Sequence, residues 1–228
     1  MSTEIPVLTI DGPSGSGKGT VSRAVARVMG WHFLDSGAIY RSLAVAVLRG
    51  GIPLDDIDRI VERAGQMDLA FTADDPPQVL LNGENVADEI GTETCGNAAS
   101  LIAASGPVRK ALLEKQRSFR KLPGLVADGR DMGSVVFQDA PVKVFLTASA
   151  EVRALRRLKQ LKGKGLHVTL DSLTKEIDER DRRDRERAEA PLVMPEGAFL
   201  VDSSNMDIQQ VIAEVLDRVE CYRVSAKS

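Results

Sequence analysis

Residues 12–20 read Gly-Pro-Ser-Gly-Ser-Gly-Lys-Gly-Thr and follow the apolar run Ile5-Pro-Val-Leu-Thr-Ile-Asp11. The order of strand, glycine-rich turn and helix constrains the fold more than any other stretch of the chain. A polyphosphate needs backbone N–H groups turned inward around it, and side chains would block that approach. Glycine takes the required dihedrals and leaves the concavity open. The start of a helix adds unpaired N–H groups and the positive end of its dipole. Gly12, Pro13, Ser14, Gly15, Ser16, Gly17, Lys18, Gly19 and Thr20 are therefore the candidate phosphate-binding residues, with Lys18 supplying a full charge for the β- and γ-phosphates. The strict pattern has Ser or Thr directly after the lysine to hold Mg²⁺. Gly19 stands there instead, and the candidate hydroxyl is that of Thr20.

The other apolar runs are short and nearly continuous: Trp31–Leu34, Leu125–Ala127, Val142–Thr147 and Ala198–Val201. Continuous rather than alternating apolarity predicts strands buried on both faces, as in a parallel sheet. Helical patterns over 17–29, 37–49, 55–65, 106–121, 149–162, 170–189 and 207–221 alternate with them, which predicts an α/β fold. Residues 67–88 break the rhythm. There, short strand-like runs around Asp74–Pro77 and Asn82-Gly83 predict a small antiparallel insertion. The sequence Lys162-Gly-Lys-Gly165 reads as a flexible break between two charged helices. The chain is therefore expected to be one domain. Its core is 1–62, 90–148 and 190–228, its insertion about 63–89, a segment leading into the flexible break about 149–170, and its arginine-rich helix about 170–189.

A formal net charge of −3 opposes a nucleic-acid partner, which requires a large basic face. Cys95 and Cys221 are far apart and have no metal-ligand spacing, so free thiols are expected. His32, beside Trp31, reads as a packing residue. No apolar run reaches transmembrane length and no signal peptide is legible, so a cytoplasmic enzyme is the expectation.

Ligands of such sheets gather beyond the carboxyl ends of the strands, and the polar clusters of this chain fall there. Ser36 follows the second run, where it can cap the next helix, and Arg41 lies one turn into that helix. Asp128-Gly-Arg130-Asp131 follows the third. Arg130 is a fork donor matched to phosphate, Asp131 an acceptor for an amino group or a balance for an arginine, and Asp128 a carboxylate placed to order Mg²⁺-bound water, although a polar turn with an internal Arg–Asp pair explains the same residues. Arg180, Asp184 and Arg187 share one helical face, and two arginines flanking an acid suit a sugar diol beside a phosphate. Arg153, Arg156 and Arg157 form a basic cluster able to close over a transferring phosphoryl group, although a solvated basic face explains the same pattern.

Together with Leu34–Arg41, Asn97–Ser100, Gly124–Gly133 and Glu179–Arg187, the loop ending Gly-Lys-Gly-Thr resembles the bacterial-type cytidylate kinase family over nearly the whole chain. This is a branch of the nucleoside monophosphate kinases. The resemblance implies a P-loop kinase fold with a five-stranded parallel sheet flanked by helices, a lid, and an enlarged monophosphate-binding insertion. It implies transfer of the γ-phosphoryl of ATP to CMP or dCMP with Mg²⁺. By matching position, Arg41 and Arg130 hold the acceptor phosphate, with Ser36 beside them. Ser100, Arg109 and Asp131 read cytosine, Arg180 and Asp184 hold ribose, and Arg187 supports them. Lys18, Arg130, Arg153 and Arg157 are the expected catalytic set. A monomer is expected. Kinases acting on UMP or AMP remain rivals. A P-loop GTPase needs an Asn-Lys pair that the sequence lacks, and an RNA-binding role for the 180–187 arginines is opposed by the interleaved acids.

Overall fold

The computed structural model describes residues 5–71, 78–163 and 168–225. The elements run in the order β1 (Val7–Asp11), α1 (Lys18–Met29), β2 (His32–Asp35), α2 (Ser36–Arg49), α3 (Ile57–Gln66), β3 (Leu69–Phe71), β4 (Val79–Leu81), β5 (Glu84–Asn85), α4 (Ala87–Ile90), α5 (Glu93–Ile102), α6 (Gly106–Arg117) and β6 (Leu125–Gly129). A π-helical turn over Met132–Val136 comes next, then β7 (Val142–Thr147), α7 (Ala150–Gly163), α8 (Leu170–Glu186), β8 (Phe199–Asp202) and α9 (Ile208–Ser225).

These elements divide into two compact units, one of residues 1–34 with 119–228 and the other of residues 35–118. The first is built on a five-stranded sheet ordered β2-β6-β1-β7-β8, in which β1 runs parallel to β6 and β7, and β7 to β8. Every residue of the central strand β1 is buried, Thr9 and Asp11 included, as a strand covered on both faces requires. Its alternation sorts two environments. Leu8 and Ile10 pack with Val21 and Val25 of α1, Val144 and Leu146 of β7, and Val215 and Val219 of α9. Thr9 and Asp11 face the other way, beneath the π-helical turn, where a Cβ on Gly133 would stand 2.8 Å from the Thr9 hydroxyl oxygen.

The second unit is helical around a small sheet. β3, β4 and β5 pair antiparallel in that order, with Val79 and Leu81 turned inward. α2 is buried nearly all round, which suits its composition of Ala, Val, Leu and Ile. The α/β class, the five-stranded parallel sheet and the antiparallel insertion thus match the expectation.

Several local expectations change. The helix over 93–102 has no counterpart in the apolar pattern, because Cys95, Gly96, Ala98, Ala99 and Ser100 make its buried face from small side chains. The π-helical turn was also not expected; the Asp131 carbonyl accepts from both Val135 and Val136 N–H, at 2.9 and 3.1 Å. Asp128 lies inside β6, which continues to Gly129. Ser36 does not cap α2: the Asp35 carboxylate does, accepting from Ala38 N–H at 2.9 Å, and Ser36 is the first helical residue. His32 is exposed rather than packed, and its Nε2 lies 2.9 Å from the Leu122 carbonyl oxygen. Neither cysteine is in a disulfide; Cys95 is buried and Cys221 exposed. The expected turn at Asp74–Pro77 and residues 164–165 of the expected break lie outside the described residues.

Gly12 is the tightest point of the first unit. Its φ is +150°, and a Cβ there would meet the Leu146 carbonyl oxygen at 2.0 Å. That contact is with backbone, so no rotamer change relieves it. Gly12→Ala is expected to cost at least about 3 kcal/mol in urea denaturation. A loss below about 1 kcal/mol would mean that β7 yields at this point.

Candidate active site

The phosphate-binding loop joins β1 to α1. Gly17, the N-cap of α1, has φ +94°, and nothing stands within 4 Å of the place a Cβ would occupy. The open face of the loop therefore lies there, where an anion can meet backbone N–H groups. Lys18 is the first residue of α1 and is buried; its ammonium donates to the Pro13 carbonyl at 2.8 Å. Ser16 donates to the same carbonyl at 3.1 Å. Burial, more than any neighbour, pushes the Lys18 ammonium down to about 7. Arg130 and Arg180 push the same way, while Asp128 and Asp11 oppose them.

The outer side of the loop is held by α7. Arg153 donates to the Ser14 carbonyl at 3.0 Å and to Ala148 at 3.0 Å, and its guanidinium forms a buried ion pair with Asp181 of α8 at 2.7 Å. Arg156 donates to the Ser16 carbonyl at 3.3 Å and to the Ser203 carbonyl and hydroxyl at 2.7 and 3.0 Å. These bonds occupy carbonyls on the outside of the loop. Two of the three arginines of the sequence cluster are thus engaged with backbone, and Arg157 is half-buried beside them.

The end of β6 and the helix α8 bring the second set together. Arg130 Nε donates to Asp184 Oδ2 at 2.8 Å, with both side chains mostly buried. Burial alone would raise the Asp184 carboxyl, but Arg130, Arg180 and Arg187 outweigh it and hold it below the usual carboxylate range. Asp184 in turn raises the already high pKa of Arg130 against the effect of burial. Arg187 caps the end of α8; its Nε donates to the Ala190 carbonyl at 2.6 Å, and its Nη2 lies 3.7 Å from Asp131 Oδ1. Asp11, one residue before the loop, accepts from the N–H groups of Met132 and Gly133, both at 2.8 Å. Its carboxyl is pushed up to about 6, chiefly by burial.

The second unit carries its own set. The Ser36 hydroxyl donates to Gln116 Oε1 at 2.7 Å. Arg41 donates to the Ile90 carbonyl at 2.6 Å, and the Cys95 thiol contacts the Arg41 carbonyl at 3.3 Å. The Arg109 guanidinium lies 5.6 Å from the Tyr40 ring centre and donates to the Ala103 carbonyl at 3.3 Å. The Ser100 hydroxyl is buried and has no hydrogen-bond partner among the described residues. An orphaned hydroxyl is costly unless a ligand completes it.

Among the described residues, no three acidic, histidine or cysteine side chains are grouped to hold a metal by themselves. A cation that arrives on a nucleotide and keeps most of its water needs only one or two protein oxygens. Asp128 fits that demand: it is buried, and one of its oxygens would lie 3.3 Å from a Cβ on Gly19, above the first turn of α1. The exposed Thr20 stands in the same turn.

The residues that pattern reading missed support others. Asp11, Asp181 and Ser203 bind turn N–H groups, arginines or loop carbonyls, and Gln116 accepts from the Ser36 hydroxyl. Only Asp181 had a legible signal, its place in the arginine-acid run.

The family model for cytidylate kinase matches residues 8–221. The chain is 57% identical to the cytidylate kinase of Methylococcus capsulatus over 97% of its own length and 100% of that protein. It is 56% identical to the cytidylate kinase of Aeromonas salmonicida over 94% of each chain. With the cytidylate kinase of Edwardsiella ictaluri the identity is 55%, over 95% of this chain and 96% of that one.

Two outcomes follow from the charge arrangement. At about pH 8 the Lys18 amine of the free protein is largely neutral, and a bound polyphosphate must raise its pKa. Nucleotide binding should then take up close to one proton, read by calorimetry in buffers of different ionisation enthalpy, and Lys18→Ala should abolish the uptake. Absence of uptake in the unsubstituted protein would mean that the ammonium is already charged. Asp181→Ala strands the buried Arg153 charge and should cost about 3–5 kcal/mol, while the double replacement Arg153→Met with Asp181→Leu should recover most of that loss in denaturant melts. Equal losses for the two would place the stabilisation in the bonds of Arg153 to backbone.

Proposed function

The chain belongs to the cytidylate kinase family, and from that premise we propose that it transfers the γ-phosphoryl group of ATP to CMP or dCMP, giving the nucleoside diphosphate and ADP. The observation that carries the reading is the cation set of buried Lys18 with the half-buried Arg130 and Arg180, beside an open phosphate-binding loop and balanced by Asp128 and Asp184. Such a set suits a reaction in which one phosphate attacks another.

The acceptor is already a phosphate dianion, so no strong base and no covalent intermediate are needed. Catalysis is positioning and charge neutralisation. The loop N–H groups and Lys18 hold the transferred group. Arg130 meets the acceptor phosphate with the guanidinium edge that Asp184 leaves over. One Asp184 oxygen is pinned by Arg130, and its other oxygen is the acceptor for a ribose hydroxyl, with Arg180 one helical turn away. Asp131, held near Arg187, takes the exocyclic amine of cytosine. On the second unit, Arg41 and Ser36 are assigned to phosphate, and Ser100 and Arg109 to the base edge. Arg153 acts on the backbone of the loop through Ser14, and Arg157 is assigned to the transferring phosphoryl group. Mg²⁺ bound with ATP, near Asp128 and Thr20, would neutralise phosphate charge. Residues 149–170 serve as the lid and 63–89 as the acceptor-side insertion. The protein works as a cytoplasmic monomer without nucleic acid; no described helix is long and apolar enough to cross a membrane.

A coupled assay of ADP formation over CMP, dCMP, UMP, AMP and GMP tests the reading. CMP and dCMP should exceed AMP by about a hundredfold or more in kcat/KM, because a site built for cytosine leaves polar groups unpaired with other bases. Lys18→Ala should lower kcat by about a thousandfold with the fold retained. A preference for AMP, or near-normal turnover without Lys18, overturns the assignment.

A further inference from the structure

Arg41, assigned to the acceptor phosphate, rests its guanidinium on a corner of the second unit. Its Nη1 donates to the carbonyl of Ile90, the last residue of α4, at 2.6 Å. A Cβ on Gly96 would stand 3.6 Å from its Nη2, so the guanidinium lies against the first turn of α5. The bond to Ile90 uses one of the five donors of the fork. What fixes that carbonyl is not packing. α4 has only four residues, too few for a helix to hold its own shape, and none of them is buried. Val86, its N-cap, is buried and anchors the start of α4 but not its end. β5, just before, is exposed.

The end of α4 is held by one side chain. Arg49, the last residue of α2, closes on Glu89 with two bonds, Nε to Oε2 at 2.9 Å and Nη2 to Oε1 at 2.5 Å. Its Nη1 donates to Glu84 Oε2 of β5 at 2.7 Å. The main chain of Glu89 has a second task. Its carbonyl accepts from the Thr92 hydroxyl at 2.8 Å and from Thr92 N–H at 3.2 Å, and Thr92 is the N-cap of α5. The residue that Arg49 grips is therefore next to Ile90 and is the pivot of the corner between α4 and α5. An exposed ion pair contributes little by itself. A fork that meets both carboxylate oxygens fixes orientation as well as distance, and the bond to Glu84 steadies the fork. Arg41 and Arg49 are eight residues apart on α2, about 12 Å of one helix, so the same rod carries the phosphate group's partner and the clamp on that partner's support.

We propose that Arg49, through Glu89 and Glu84, is a positioning residue for the acceptor: it fixes the corner between α4 and α5 so that the Ile90 carbonyl holds the Arg41 guanidinium in one orientation. The proposal rests on the reading of Arg41 as a ligand of the acceptor phosphate. Arg49 touches no substrate in this scheme. Without the clamp the Ile90 carbonyl shifts, Arg41 samples more rotamers, and the entropy of ordering it again falls on CMP binding. The phosphate-binding loop belongs to the first unit and keeps its own bonds, so ATP is spared.

Steady-state kinetics of Arg49→Ala should show KM for CMP raised about fivefold, with kcat and the KM for ATP within about twofold of the unsubstituted protein. Glu89→Gln keeps the size and removes the charge, and should raise KM for CMP about threefold. The deciding measurement is a double-mutant cycle. Because Arg49 acts through Arg41, Arg41→Ala with Arg49→Ala should be no worse for CMP than Arg41→Ala alone. If the two losses multiply, or if KM for ATP rises as much as KM for CMP, Arg49 serves the fold of its unit and the positioning role is overturned. If Arg41→Ala impairs CMP use while Arg49→Ala and Glu89→Gln do not, the positioning role is again overturned and the assignment of Arg41 stands. If Arg41→Ala leaves CMP use unchanged, or the unsubstituted protein does not phosphorylate CMP, the underlying reading fails and the role of Arg49 with it. Should Arg49→Ala not fold, Glu89→Gln carries the same cycle with Arg41→Ala.

Discussion

Placing several guanidinium and ammonium groups under cover before any anion arrives is the constraint to which the first unit is fitted. Lys18, Arg130 and Arg180 feel one another strongly enough that burial and mutual repulsion together drive the lysine towards neutrality. Uncompensated, such a cluster would destabilise the fold by more than a domain of this size can bear. Asp11, Asp128 and Asp184 make it tolerable. Asp11 is fixed by two turn N–H groups and Asp184 by the Arg130 guanidinium, while Asp128 is buried within β6. The ligand-free protein is therefore poised: the anions of a nucleotide replace a balance already struck with carboxylates.

The same logic applies to the loop backbone. A loop that turns its N–H groups towards an anion must turn carbonyls outward, and those need donors. Arg153 and Arg156 supply them to Ser14 and Ser16. An arginine run that looks like a set of phosphate-seeking side chains thus has a second use as scaffolding. Asp181 anchors Arg153 from the neighbouring helix.

This division explains what the sequence made legible. The loop, the parallel core and the antiparallel insertion were readable because each rests on a local pattern: glycine spacing, continuous apolar runs, and strand fragments around Asn82-Gly83. The site residues stood out where charge collected at strand ends. Helix α5 escaped because its buried face is small side chains, which carry little amphipathic contrast. Ser36 looked like a cap because it has the right chemistry, yet Asp35 precedes it with better chemistry still. Asp11 looked like the end of an apolar strand, and its work became visible only when residues 132 and 133, more than a hundred positions on, were brought above it. Partnerships over that separation leave no trace in a window of sequence.

The first unit is also discontinuous, closing around residues 1–34 and 119–228. Its central strand β1 is made before residues 35–118, and its neighbours β6 and β7 only after them. On a ribosome adding about 5–20 residues each second, β1 and its glycine loop wait on the order of ten seconds for β6 to emerge. The unit of residues 35–118 is a single uninterrupted stretch that has all its own partners well before then. Synthesis therefore delivers the regions in the reverse of their order of dependence, with the central strand β1, buried along its whole length, spending the longest time unpaired. Its brevity, five residues with a polar threonine and aspartate among them, limits what that strand exposes meanwhile.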